Sequence, residues 1–206
     1  MTKPRFLDKA YLERTGDETR RFYDEWSAVY DDELGENDYR QPLRCAAALA
    51  RYMADRTGLV LDAGCGTGLS GVALANAGFE RIDGCDFSPR MLEKALKTSI
   101  YQRLFEADLN MRQDFPNGHY SGLAAVGVFS FGHVAADAIE EFHRIVEPNG
   151  VIVIGLNDHF YQEGSLRRRI DALAGNGKFE ILVQEPGAHL PGIGLSGWVI
   201  ALRRRG

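Results

Sequence analysis

The sequence predicts a doubly wound α/β fold: a mostly parallel seven-stranded sheet with helices on both faces, a final antiparallel strand and an N-terminal helical cap. Three observations carry that prediction. From residue 58 to about 156, short apolar runs alternate with helical patterns, and strand–helix alternation packs as a parallel sheet covered on both sides. Residues 8 to about 56 show helical periodicity alone. The last thirty residues hold two strand-like runs with no helix between them.

In "DETRRFYDEWSAVYDDEL", Phe22, Trp26, Val29 and Tyr30 fall at i, i+4, i+7 and i+8, one face of a helix. "QPLRCAAALARYMADR" follows, with Pro42 near a helix start and strong helix formers behind it. "GLVLDA", "ERIDGCD", "YQRLFEAD", "GLAAVGVFS" and "VIVIGLN" read as the successive strands of the parallel part. Between them, Gly78 is a C-cap, Ser88-Pro89 opens a helix with a capping hydroxyl and a first-turn proline, and "PNG" at 148–150 breaks the long helix that starts near Val134. "KFEILVQE" and "GWVIALRR", joined by a Gly/Pro-rich loop, read as an antiparallel pair closing the sheet. One domain is expected over residues 1–206, with 1–57 the cap and 58–206 the α/β core.

Composition narrows the function. Of the 206 residues 26% are charged, and the net charge of −5 argues against a surface built for nucleic acid. The "RRR" runs at 167–169 and 203–205 are expected to be a solvated helix face and a frayed tail. No apolar run approaches the ~20 residues of a membrane span, and the first eighteen residues lack a signal peptide's apolar stretch. Cys45, Cys65 and Cys85 are odd in number and form no CxxC, so a reduced, cytoplasmic setting without membrane contact is expected. The five histidines lack ligand spacing, and no metal is expected.

The chemistry centres on "GLVLDAGCGTGLS", residues 58–70. In an open parallel sheet, ligands sit beyond the C-terminal ends of the strands. Asp62, Asp86 and Asp108 each fall at such an end, 24 and 22 residues apart; any one of them alone is an ordinary turn former. No lysine follows the loop, which excludes a P-loop, and Gly64, Gly66 and Gly68 space as GxGxG instead of the dinucleotide GxGxxG. A ligand with a ribose, an amine and a positive centre fits better. The glycines admit close backbone approach, helix-start amides after Gly66 can face a carboxylate, and Asp62 can bond an ammonium. Asp86 is placed for both ribose hydroxyls, Phe87 for the adenine face and Asp108 for its amino group. That ligand is S-adenosyl-L-methionine.

"VLDAGCGTG", "GCDFSPRML", "ADL" and "FHRIVEPNGVIVIG" resemble the successive motifs of the class I S-adenosylmethionine-dependent methyltransferases, closely over residues 58–156. "YDEWSAVYDDEL", "YRQP" at 39–42, "IDGCDFSPRMLEKA" and "IYQRL" resemble more narrowly the Williams–Beuren-region methyltransferase-like family. The resemblance implies a Rossmann-like core. It places Gly64, Cys65 and Gly66 at the methionine moiety, Asp86 and Phe87 at the ribose and adenine, and Asp108 with Leu109 at the adenine edge. Trp26 and Tyr30 would form a lid, or simply the apolar face of a packed helix. The family often carries an Asp in the turn before the fourth strand, where this chain has Tyr120-Ser121-Gly122.

Methyl transfer needs alignment, exclusion of water and management of one proton. His133, in "FSFGHV" after the fourth strand, is the candidate base, with a packing role as its plain alternative; His159 and Tyr39 are weaker candidates. Arg40 could pair with an acidic acceptor or sit at the surface. Phe129, Phe131, Phe160 and Tyr161 would suit an aromatic acceptor or the core. The expected activity is methyl transfer to a small molecule; the rival is a protein that binds the cofactor or its demethylated product without turnover.

Overall fold

The computed structural model describes Phe6 and residues 16–130 and 134–206. Seven strands form one sheet: β1 (Leu59–Ala63), β2 (Arg81–Asp86), β3 (Arg103–Glu106), β4 (Tyr120–Val126), β5 (Val146–Asn157), β6 (Phe179–Leu190) and β7 (Leu195–Arg204), in the order β3-β2-β1-β4-β5-β7-β6. β1 to β5 run parallel, and β7 runs against both β5 and β6. The mostly parallel sheet with its antiparallel last strand is as the sequence predicts. The chain order reverses at β1, which pairs with β2 on one side and β4 on the other.

The helices are α1 (Gly16–Trp26), α2 (Tyr30–Glu36), α3 (Gln41–Tyr52), α4 (Leu69–Asn76), α5 (Pro89–Ala95), α6 (Ala138–Ile145), α7 (Asp158–Glu163) and α8 (Ser165–Gly175). Successive strand residues point to opposite faces, so the sheet feeds two apolar clusters. Leu61, Leu123, Ile152 and Ile154 enter one with α6 and α8; Val60, Ala124, Val151 and Val153 enter the other with α3 and α4. Each such fully buried branched side chain stabilises the fold by roughly 1.5–3 kcal/mol. A third cluster joins α1 and α2 to the β6–β7 hairpin through Trp26, Leu34 and Leu190.

The local signals hold at several joints. The Ser88 side chain accepts a hydrogen bond from Met91 N, with Pro89 opening α5. Gly78 lies just beyond α4 at φ +92°. Asn157 caps α7 by accepting from Phe160 N.

Four expectations are corrected. "PNG" at 148–150 does not break a helix, since α6 ends at Ile145 and these residues lie within β5. The first helical stretch divides at Ser27–Val29, because Trp26 and Leu34 must both face the hairpin. The Gly/Pro-rich loop before β7 is mostly strand: β6 continues through Pro186 and Gly187 to Leu190, tolerating the proline on an edge strand. Arg203 and Arg204 are paired residues of β7 and not a frayed tail, since Phe179 and Glu180 lie opposite them. The other basic run behaves as expected on α8, where Arg169 pairs with Asp137 and Glu140.

Candidate functional site

β1 ends in a turn that only glycine adopts freely. Gly64, Gly66 and Gly68 have φ of +72°, +54° and +102°. The turn is tied across the sheet, with Gly64 N and Cys65 N both donating to Cys85 O at 2.8 Å. A Cβ on Gly64 would lie 2.5 Å from Val128 Cγ2, whereas one on Gly66 would meet nothing within 4 Å. The face of Gly66 is open.

Asp86 completes the turn from β2. Its Oδ2 accepts from Gly66 N and its Oδ1 from Ser88 N, both at 2.9 Å. Burial raises the Asp86 carboxyl above its ordinary value, against the pull of the Ser88, Gly66 and Phe87 amides. Ser88 Oγ in turn donates to Asp24 Oδ1 of α1 at 2.5 Å, and Thr67 Oγ1 donates to Asp31 Oδ1 of α2 at 2.5 Å. Two carboxylates thus latch the helical cap onto the glycine turn and the start of α5.

Between cap and turn lies an open cleft. It opens at the reversal of strand order, where Gly64 and Gly66 follow β1 and Gly127 and Val128 follow β4. Of the residues predicted for a cofactor, Tyr30, Gly64, Gly66, Asp86, Phe87, Asp108 and Leu109 line it. Asp108 also builds its own turn, its Oδ1 accepting from Asn110 N at 2.9 Å. Over the Phe87 ring lies the Arg20 guanidinium, 5.2 Å from the centroid, and Arg20 is paired with Glu106.

Trp26, Asp62 and Cys65 do not line this cleft. Trp26 is 3% exposed and packs inside the cap, its Nε1 donating to Glu33 Oε2 at 3.1 Å. Asp62 is fully buried behind the turn, where its Oδ2 accepts from Ser70 Oγ and Tyr101 OH, each at 2.7 Å. Its Oδ1 has no hydrogen-bond partner among the described residues. Burial pushes the Asp62 carboxyl up to about 6, against the lowering effect of those hydroxyls. Burial likewise pushes the Cys45 and Cys85 thiols up to about 12 and that of Cys65 further, so none is a thiolate near neutrality.

A second, smaller chamber adjoins the first and shares Tyr23, Tyr30 and Gly127 with it. Trp26 and Tyr39 line it, as do Asn157 at the end of β5 and His189 near the end of β6. His133 and Phe131 lie outside the described residues. His159 is exposed on α7, and Arg40 is half-exposed and paired with Asp38 at 2.7 Å, its surface reading. Phe129 and Phe160 are core residues, and Tyr161 stacks on Trp198 with centroids 3.7 Å apart.

Sequence reasoning missed Thr19, Arg20 and Tyr23 of α1, the Gly127–Val128 wall, and Tyr101 beneath the turn. The strand-end rule applied to β4 finds Gly127 and Val128. Nothing local marks Tyr101, whose ring fills the space that side chains at Gly71 and Gly84 would need.

Comparison with known proteins agrees with this fold. A methyltransferase-domain family matches residues 60–150. The [4+2]-cyclase SpnF superposes with a TM-score of 0.71 at 14% identity, covering 94% of this chain and 98% of its own. Geranyl diphosphate C-methyltransferase from Streptomyces coelicolor, solved with Mg2+, geranyl diphosphate and S-adenosyl-L-homocysteine, superposes at 0.63 with 15% identity over 85% of this chain and 84% of its own. With its motifs, sheet order and glycine turn, the chain belongs to the class I S-adenosylmethionine-dependent methyltransferases. One relative is human methyltransferase-like protein 27, 32% identical over 171 residues, which are 80% of this chain and 69% of the human protein.

Proposed function

We propose that this methyltransferase binds S-adenosyl-L-methionine in the larger cleft and methylates a small-molecule acceptor. The observation that carries the reading is Asp86. Its carboxylate spends one lone pair on Gly66 N and another on Ser88 N, and a carboxylate has about four acceptor positions. Its remaining acceptor capacity suits the vicinal hydroxyls of a ribose. The open face of Gly66 is space that a Cβ would fill, and Phe87 and Leu109 offer apolar surface to an adenine.

The bound cofactor supplies a methyl group already activated on a sulfonium sulfur. The chain's own residues do the rest. Gly64 and Gly66 let backbone come close, Asp86 orients, and α1 and α2, latched by Asp24 and Asp31, keep water from the cleft. Asp62 acts from behind, holding the turn's shape through Ser70 and Tyr101. Within this reading residues 1–57 serve as the cap and 58–206 as the core of one unit. The net charge of −5 favours a small acceptor over nucleic acid.

Calorimetry with S-adenosylhomocysteine, S-adenosylmethionine and NAD tests it. Micromolar binding of the first two and none of NAD is expected. Asp86→Ala is expected to weaken both by more than about tenfold, the worth of hydrogen bonds to a charged group at ~1.5–3 kcal/mol. Binding of NAD alone, or unchanged affinity in the variant, overturns the assignment. Turnover of bound S-adenosylmethionine with a cell extract then separates an enzyme from a protein that only binds.

A further inference from the structure

The second chamber has a chemistry of its own. Its described lining contains no acidic or basic side chain except His189, and burial together with the nearby Arg44 charge holds that imidazole down to about 4. A charged ligand would be desolvated there without a counter-ion, which is costly. Four aromatic rings wall the space: Tyr23, Trp26, Tyr30 and Tyr39. The Trp26 and Tyr30 rings meet edge to face at 4.6 Å, and Tyr39 meets His189 the same way at 5.2 Å.

His189 is 4% exposed, and its Nδ1 has no hydrogen-bond partner among the described residues. Its Nε2 likewise makes no hydrogen bond among the described residues, and a polar ring so buried without a partner points to a group the structure does not include. One edge of the ring lies on Gly197, where a Cβ would come within 3.0 Å of Nδ1. The Nε2 edge therefore turns away from β7. The backbone at His189 is tied to the cap, its carbonyl oxygen accepting from Arg40 N at 2.9 Å.

We propose that this chamber is the methyl-acceptor subsite and that it selects an uncharged aromatic hydroxyl compound, whose hydroxyl hydrogen-bonds to His189. The proposal rests on the cofactor reading of the larger cleft, with which the chamber shares Tyr23, Tyr30 and Gly127. A hydroxyl suits the site because it donates and accepts, and so satisfies Nε2 in either tautomer of a neutral imidazole. The aromatic rings supply stacking and edge contacts to a flat molecule.

The test uses the full chain saturated with S-adenosylhomocysteine and four probes of one size: 2-naphthol, naphthalene, 2-naphthoate and 2-naphthylmethylammonium. Ligand-observed NMR titration gives the affinities, and calorimetry gives the S-adenosylhomocysteine affinity separately. The expected result is 2-naphthol binding about fivefold tighter than naphthalene, as one neutral hydrogen bond provides, and at least about tenfold tighter than either ion. In His189→Phe the advantage of naphthol over naphthalene should fall to about one, with S-adenosylhomocysteine affinity unchanged; in His189→Gln it should return. A merely structural histidine would not move that ratio. Equal binding of the ions, no binding of naphthol, or an unchanged ratio in His189→Phe overturns the proposal and leaves the cofactor reading standing. Failure of S-adenosylhomocysteine to bind overturns both, and the calorimetric arm identifies that case.

Discussion

Tyr101→Phe removes a single oxygen beneath the glycine turn and leaves the ring that packs on Gly71 and Gly84. That oxygen donates to Asp62 Oδ2 at 2.7 Å, a hydrogen bond to a buried carboxylate worth ~1.5–3 kcal/mol. At roughly 2–4 °C per kcal/mol for a chain of this size, the melting temperature at pH 8 should fall by about 3–12 °C. The loss should depend on pH in a fixed sense. Asp62 in the folded chain titrates at about 6, above its free value of 3.8, so its ionisation opposes folding. That opposition is absent below about pH 4 and grows to ~3 kcal/mol as pH rises through 6. Removing the Tyr101 donor raises the carboxyl further, so the variant's deficit is full at pH 8 and shrinks toward pH 4, where the acid is neutral in both proteins. Thermal melts at pH 8 and pH 4.5 measure it, with S-adenosylhomocysteine calorimetry alongside to report the shape of the turn. A deficit under 1 °C at pH 8, or equal deficits at both pH values, would refute the view that Tyr101 supports a buried charge.

The glycine turn makes a paired prediction. Gly64→Ala forces a Cβ to 2.5 Å from Val128 Cγ2 at φ +72°, so both stability and S-adenosylhomocysteine affinity should fall, the former by ~2–4 kcal/mol. Gly66→Ala meets no protein atom, and should cost only the ~1–2 kcal/mol of its positive φ while losing affinity at least as severely; urea denaturation beside calorimetry separates the two, and the reverse ranking in stability would contradict the geometry. For the cap, Asp24→Ala combined with Asp31→Ala removes both latches, and hydrogen exchange in α1 and α2 should accelerate by about tenfold or more. Unchanged exchange there would mean that the aromatic packing of the cap holds it without them.

Local physics made much of the fold legible. "LVLDA" and "VIVIG" have no polar alternation because both faces of the sheet's interior are covered, by α3 and α4 on one side and α6 and α8 on the other. Ser88-Pro89 and Gly78 marked helix ends because capping depends on the residue itself and its immediate neighbours. The division at Ser27–Val29 and the extension of β6 through Pro186 were illegible, because packing against the hairpin and position at the sheet edge decide them.

The site divides the same way. The sequence by itself determined that a turn of alternating glycines follows the first strand and that Asp86 stands at the end of the next, since backbone conformation and strand–helix length are local properties. Only the tertiary structure decided that Asp62 faces Ser70 and Tyr101 behind the turn, that Trp26 belongs to the cap and the second chamber, and that His189 stands beside Tyr39. The Asp62–Tyr101 and Tyr39–His189 contacts join residues 39 and 150 positions apart, and they follow from sheet order and the closing of the cap, which no periodicity records.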